Sequence, residues 1–134
     1  MHAYESPQDP SAQLTTVLNW IDALSRRDFS ACGELMAEDY KHSVLPGSKG
    51  PVASNRREGI DVAEKATRPL KTIKFELYAV NESPGNIWIH LMQRAVTNEG
   101  DHTNAESMQL FALDQGPDPK ITVMDEFVGT KKAE

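Results

Sequence analysis

Pro69-Leu70-Lys71-Thr72-Ile73-Lys74-Phe75-Glu76-Leu77-Tyr78-Ala79 is where the chain changes texture. Pro69 lacks the N–H that a helix interior needs, so it stops whatever helix precedes it. From Ile73 on, Ile73, Phe75, Leu77 and Ala79 alternate with Lys74, Glu76 and Tyr78. A period of two puts the first set on one face of a β-strand and the second on the other. The rest of the chain keeps that period. Residues 81–86 are turn chemistry, and Ile87, Ile89 and Leu91 then alternate with Trp88, His90 and Met92 in a strand over 87–97. Asn98-Glu99-Gly100-Asp101 turns into a strand over 103–113, and Gln115-Gly116-Pro117-Asp118-Pro119 into a last one over 120–128.

On the N-terminal side of Pro69 the period is that of a helix. Leu14, Val17, Leu18, Ile21 and Leu24 mark a buried stripe that Trp20 widens, and Arg26-Arg27-Asp28 closes it. Ser30 is placed to cap a second, short helix through about Met36, and residues 39–45 read as a short strand. Asn55 and Glu58 have the spacing of a capping box, so a third helix starts near Arg56 and carries Ile60, Ala63 and Thr67 inward. Residues 1–11 read as a flexible arm and 131–134 as a polar tail. Helices first, then long strands joined by short turns, predict one α+β domain over 12–130 with a mostly antiparallel sheet. Bulk on both faces of the later strands predicts a two-fold homodimer, because three helices can cover one face only.

The 134 residues carry a net charge of −6, which disfavours a nucleic-acid partner or an anionic membrane surface. The first thirty residues hold no uninterrupted apolar run, so no membrane span or signal peptide is expected, and the default compartment is the cytoplasm. Cys32 is the only cysteine, and it reads as a small packed apolar residue. No phosphate loop, nucleophile elbow or metal-ligand spacing is present, which leads to an expectation of no metal and no cofactor.

Between the helices lies Asp39-Tyr40-Lys41-His42-Ser43-Val44-Leu45-Pro46-Gly47-Ser48-Lys49-Gly50. This segment, the order of elements and the closing Met124-Asp125-Glu126-Phe127-Val128-Gly129 together resemble the SnoaL-like branch of the nuclear-transport-factor-2-like superfamily. More narrowly, they resemble the small fungal SnoaL-like isomerases and cyclases of meroterpenoid and polyketide biosynthesis. The resemblance implies a cone-shaped α+β barrel in which a strongly bent sheet curls around three helices and an apolar pocket. It also implies cofactor-free acid–base catalysis on an apolar, oxygen-bearing intermediate of secondary metabolism. The chain departs from those relatives at Gly129, where they carry an acidic residue.

The residues singled out have competing readings. His42 matches the histidine of the family segment and can exchange a proton near neutral pH; the plainer reading is a histidine hydrogen-bonded to the following loop. Glu58, with Arg57 beside it, is either a pocket acid–base partner for His42 or ordinary helix-start chemistry. Asp125 and Glu126 point to opposite faces of one strand; alternation leaves the choice open, and the resemblance points to Glu126. Trp88, Met92, Glu106, Met108 and Met124 are candidate pocket contacts, while a structural role suits His90 better. Two other functions remain beside isomerisation: a non-catalytic ligand-binding or dimerising module, and a dehydratase or hydrolase on the same fold.

Overall fold

The computed structural model describes residues 3–46, 50–129 and 132–133. Three helices come first: α1 (Ala12–Ser25), α2 (Phe29–Glu34) and, after strand β1 (Met36–Val44), α3 (Arg56–Thr67). The strands β2 (Leu70–Ser83), β3 (Asn86–Thr97), β4 (His102–Leu113) and β5 (Ile121–Val128) follow, with a two-residue β6 (Lys132–Ala133). The sheet runs β1-β5-β4-β3-β2, and β6 pairs with the start of β4 inside the stretch read as a tail. Every pairing along it is antiparallel except β1 with β5, which is parallel. The sheet is therefore mixed, and it stays open between β1 and β2.

Local chemistry sets the helix starts. Ser11 Oγ accepts from the Leu14 N–H at 3.1 Å and begins α1. The cap of α2 is Asp28, whose carboxylate accepts from Ala31 N–H at 3.1 Å, and not Ser30, which lies inside the first turn. The helix ends at Glu34, so Met36 already belongs to β1, which is longer than the sequence suggested. The arm does not hang free: Tyr4 N–H donates to Leu77 O at 2.8 Å.

The alternation read from Ile73 onward breaks in the middle of β2. Ile73, Phe75 and Leu77 face the helices as expected, but a bulge between Leu77 and Ala79 shifts the register. Beyond it Ala79 pairs with His90 on the outer face, and Val80, paired with Ile89, takes the inner one. Ile87, Ile89, Leu91, Phe111, Leu113, Ile121 and Met124 meet Leu14, Val17, Trp20 and Ile21 in one core. The edge of Trp20 stands against Phe111 at 5.8 Å between ring centres.

Helix α3 lies close on β1 because Gly59 presents no side chain to it. A Cβ there would sit 2.6 Å from the Tyr40 ring and 2.8 Å from Met36 Cε. Both of those residues are fully buried. Gly59→Ala gains helix propensity of about 1 kcal/mol, but it forces that contact apart at a cost of about 1–3 kcal/mol. A lower urea midpoint is the expected outcome, and an unchanged or higher one contradicts this packing.

Candidate active site

Parallel pairing of β1 with β5 sets His42 opposite Met124 and Val44 opposite Glu126. From these positions His42 and Glu126 reach each other diagonally, with His42 Nε2 2.8 Å from Glu126 Oε1. The histidine is 6% exposed. Its backbone is clamped on the other side, where His42 N–H donates to Ala53 O at 3.0 Å and Val52 N–H donates to His42 O at 2.8 Å. Leu45 N–H donates to Glu126 O at 2.7 Å and fixes the carboxylate's strand as well. Both partners of the pair are thus held by main chain, which limits the entropy lost in keeping them aligned.

The pair faces a cavity of about 320 Å3. Helix α1 contributes Trp20 and Leu24, β1 contributes Tyr40, and α3 contributes Gly59, Val62, Ala63, Ala66 and Thr67. Ile73, Phe75 and Met124 add apolar wall, and Gln93 and Gln109 stand on the sheet among them. Its size suits a small organic molecule, and so does a mostly apolar lining with few polar groups. A larger groove of about 750 Å3 lies between the arm, α1 and β2, but it holds no histidine and is lined by Asp22, Lys74 and Glu76 at the surface. The histidine and the carboxylate paired with it line the smaller space.

Tyr40 lies two residues before His42 on the same face. Burial, and after it the charge of Glu126, push its phenol well above the ordinary value of 10.0. It therefore stays neutral and able to donate. Cys32 is raised to about 11, chiefly by burial, and its thiol is held protonated in the core.

Three of the residues singled out in the sequence, His42, Glu126 and Met124, come together here. Glu58 does not. Its Oε1 accepts from Ser54 N–H at 2.9 Å, and its own N–H donates to Asn55 Oδ1 at 2.9 Å, so the carboxylate is spent on the start of α3 at the surface. Arg57 is exposed beside it. Asp125 pairs with Leu110 on the outer face of the sheet. Trp88, Met92, Glu106 and Met108 share that outer face, where His90 Nε2 lies 2.5 Å from Glu106 Oε2. The sequence reasoning passed over Trp20, Tyr40, Gln93 and Gln109. A signal existed for Gln93, which interrupts the apolar series Ile87, Ile89, Leu91 and Ala95 on the inward face; Gln109 follows the polar Ser107 and leaves a weaker one.

Among the described residues no three His, Cys, Asp or Glu side chains group as a metal site would require. No described helix is long and apolar enough to cross a membrane.

Several solved structures match the whole architecture. A Jannaschia sp. CCS1 protein named for SnoaL-like polyketide cyclases superposes with a TM-score of 0.75 at 15% identity, covering 91% of each chain. AusH from Aspergillus nidulans gives 0.74 at 13% identity, over 92% of this chain and 88% of that one. An M. tuberculosis LEH-like epoxide hydrolase gives 0.73 at 11%, over 88% and 83%. The fold is the SnoaL-like, NTF2-like one. No protein-family model and no curated protein sequence matches the chain. The cone of this fold explains the cavity's position, since helices and bent sheet leave a space at the end where β1 and β5 meet.

The neutral state of Tyr40 sets a pH dependence. A folded value above the unfolded one leaves stability complete below about pH 10 and removes it as the pH rises further, because the unfolded chain gives up the proton first. Urea midpoints should therefore fall above that pH, and Tyr40→Phe should flatten the fall. An equally steep decline in the variant contradicts the burial of a neutral phenol.

Proposed function

We propose that this chain is a cofactor-independent isomerase or cyclase acting on an apolar, oxygen-bearing intermediate of polyketide or meroterpenoid type. The observation that carries the reading is the His42–Glu126 contact inside the cavity. An ionised carboxylate only accepts hydrogen bonds, so Nε2 carries the hydrogen and Nδ1 keeps a lone pair. That nitrogen takes a proton from carbon next to a carbonyl, and Glu126 stabilises the imidazolium that results. The electrons of the broken C–H bond move into the carbonyl as an enolate, whose oxygen the neutral Tyr40 phenol is suited to stabilise. Return of the same proton to a different carbon completes an isomerisation; in a cyclisation the enolate carbon attacks a carbonyl of the same molecule, its C=O π bond opens to an alkoxide, and the His42 imidazolium gives its proton to that oxygen. Substrate and product have the same mass, and the cavity's main contribution is to hold the reactive conformer.

A hydrolase or dehydratase would use the same pair to activate or expel water, and the M. tuberculosis neighbour, an LEH-like epoxide hydrolase, keeps that reading in view. A non-catalytic binding module is less favoured, because a buried acid–base pair has little reason to face a cavity that only stores a ligand. The test is conversion of candidate polyketide and meroterpenoid precursors by purified protein, followed by mass spectrometry. His42→Ala and Glu126→Gln should each lower the rate by about 10²–10⁴-fold, with product mass equal to substrate mass. Glu58→Gln should leave the rate within about twofold while weakening α3 by about 0.3–1 kcal/mol, since glutamine keeps the capping geometry and loses only the charge. Full activity without His42, or a product that has gained or lost water, contradicts the isomerase reading.

We also propose that the outer face of the sheet is covered by a second copy of the chain. Trp88, Leu110 and Phe127 lie there, 37%, 42% and 50% exposed, on neighbouring strands β3, β4 and β5. Such a run of exposed apolar bulk exceeds what monomers usually leave in water. Light scattering at micromolar concentration should report twice 14.9 kDa. A mass that stays at the single-chain value on concentrating contradicts the dimer.

A further inference from the structure

Three described side-chain atoms are buried without any hydrogen-bond partner: Trp20 Nε1, Gln109 Oε1 and Arg27 Nε. Two of these three belong to residues that line the catalytic cavity. Trp20 is 5% exposed and Gln109 8%. Buried polar atoms are nearly always satisfied, and an unsatisfied one costs free energy comparable to a lost hydrogen bond. Their concentration at one cavity is therefore informative. Neither is needed by the His42–Glu126 pair, which is closed on itself. Both belong to the core's own framework, for Trp20 packs on Phe111 and Gln109 precedes Phe111 by two residues on the same face of β4.

The chemistry of the two atoms is complementary. An indole N–H can only donate, and an amide oxygen can only accept. We infer that Trp20 and Gln109 form a substrate-orienting pair that selects an apolar molecule carrying both an acceptor oxygen and a hydroxyl, that is, a hydroxy-ketone or hydroxy-lactone. With the cavity occupied, a small turn of each side chain brings the indole N–H to the carbonyl or ring oxygen and the amide oxygen to the hydroxyl. This rests on the proposed function for the reaction but not for the binding. The register supports the placement: Gln109 pairs directly with Glu126 across β4 and β5, so a hydroxyl held by Gln109 lies beside the acid–base pair. A molecule lacking either group leaves a buried partner unpaired, and discrimination of this kind exceeds what apolar shape alone provides. Trp20 and Gln109 are positioning residues, and the proton transfer does not pass through them.

The test uses three probes of matched ring shape: decalin, a decalone and a hydroxydecalone. The chain has two tryptophans, and Trp88→Phe on the outer face leaves Trp20 as the only indole in a proton–nitrogen NMR spectrum. The decalone and the hydroxydecalone should move the Trp20 indole N–H resonance downfield, and decalin should not. Hydroxydecalone should bind about tenfold more tightly than decalone, and Gln109→Leu should abolish that difference while decalone affinity stays the same. His42→Ala should leave both preferences intact, so a protein that binds in this way but converts nothing refutes the isomerase and keeps the orienting pair. Binding of the ketones without an indole shift, a hydroxyl preference that survives Gln109→Leu, or no binding of any probe overturns the inference.

Discussion

The parallel contact between β1 and β5 is the constraint on which the site depends. Parallel neighbours cannot be joined by a tight turn, and here the two strands are brought together by everything between them: α3, the β2–β4 meander and the turn at Pro117. His42 and Glu126 are 84 positions apart and meet only because this ladder holds its register. A slip of one residue would turn the carboxylate to the outer face and bring Asp125 inward. The hydrogen bond from Leu45 N–H to Glu126 O pins that register, and the one from His42 N–H to Ala53 O holds the other edge of β1. The fold and the proposed site therefore share one set of main-chain bonds.

The cavity shows a division of labour that follows from packing. Gly59 lets α3 approach β1 so closely that Tyr40 is sealed from water, and that seal keeps the phenol neutral beside a carboxylate. Apolar walls from Val62, Ala63, Ile73 and Phe75 lower the local dielectric around the His42–Glu126 pair, which strengthens their interaction and makes any unpaired neighbour costly. Trp20 Nε1 and Gln109 Oε1, buried without a hydrogen-bond partner, carry that cost. Strain of this kind is expected at functional sites and uncommon elsewhere.

Much of this was legible in the sequence, and the gaps have physical causes. The switch of period at Pro69 separated helices from strands, and Asn55 with Glu58 marked the start of α3 correctly. The same pair misled the reading of the site, because a glutamate in a capping box and a glutamate poised for catalysis look identical until the third partner, Ser54 N–H, is seen. The parallel pairing left no local trace, since nothing in residues 36–44 names a partner at 121–128. The bulge after Leu77 was equally silent, for no glycine marks it, and it moved Ala79 and Val80 to faces opposite to those alternation assigns. For Trp88, Met92, Glu106 and Met108, bulk on both faces of the strands does not say which face is inside, and all four lie on the outer one. The packing of the three helices on one face decides that.

In the proposed reaction His42 and Glu126 act as one unit across β1 and β5. A double-mutant cycle on turnover, with His42→Ala, Glu126→Gln and the combination, tests it most directly. Acting as a unit, the pair loses no more activity in the double variant than in the worse single variant. Losses that multiply, each residue contributing independently of the other, would contradict the account.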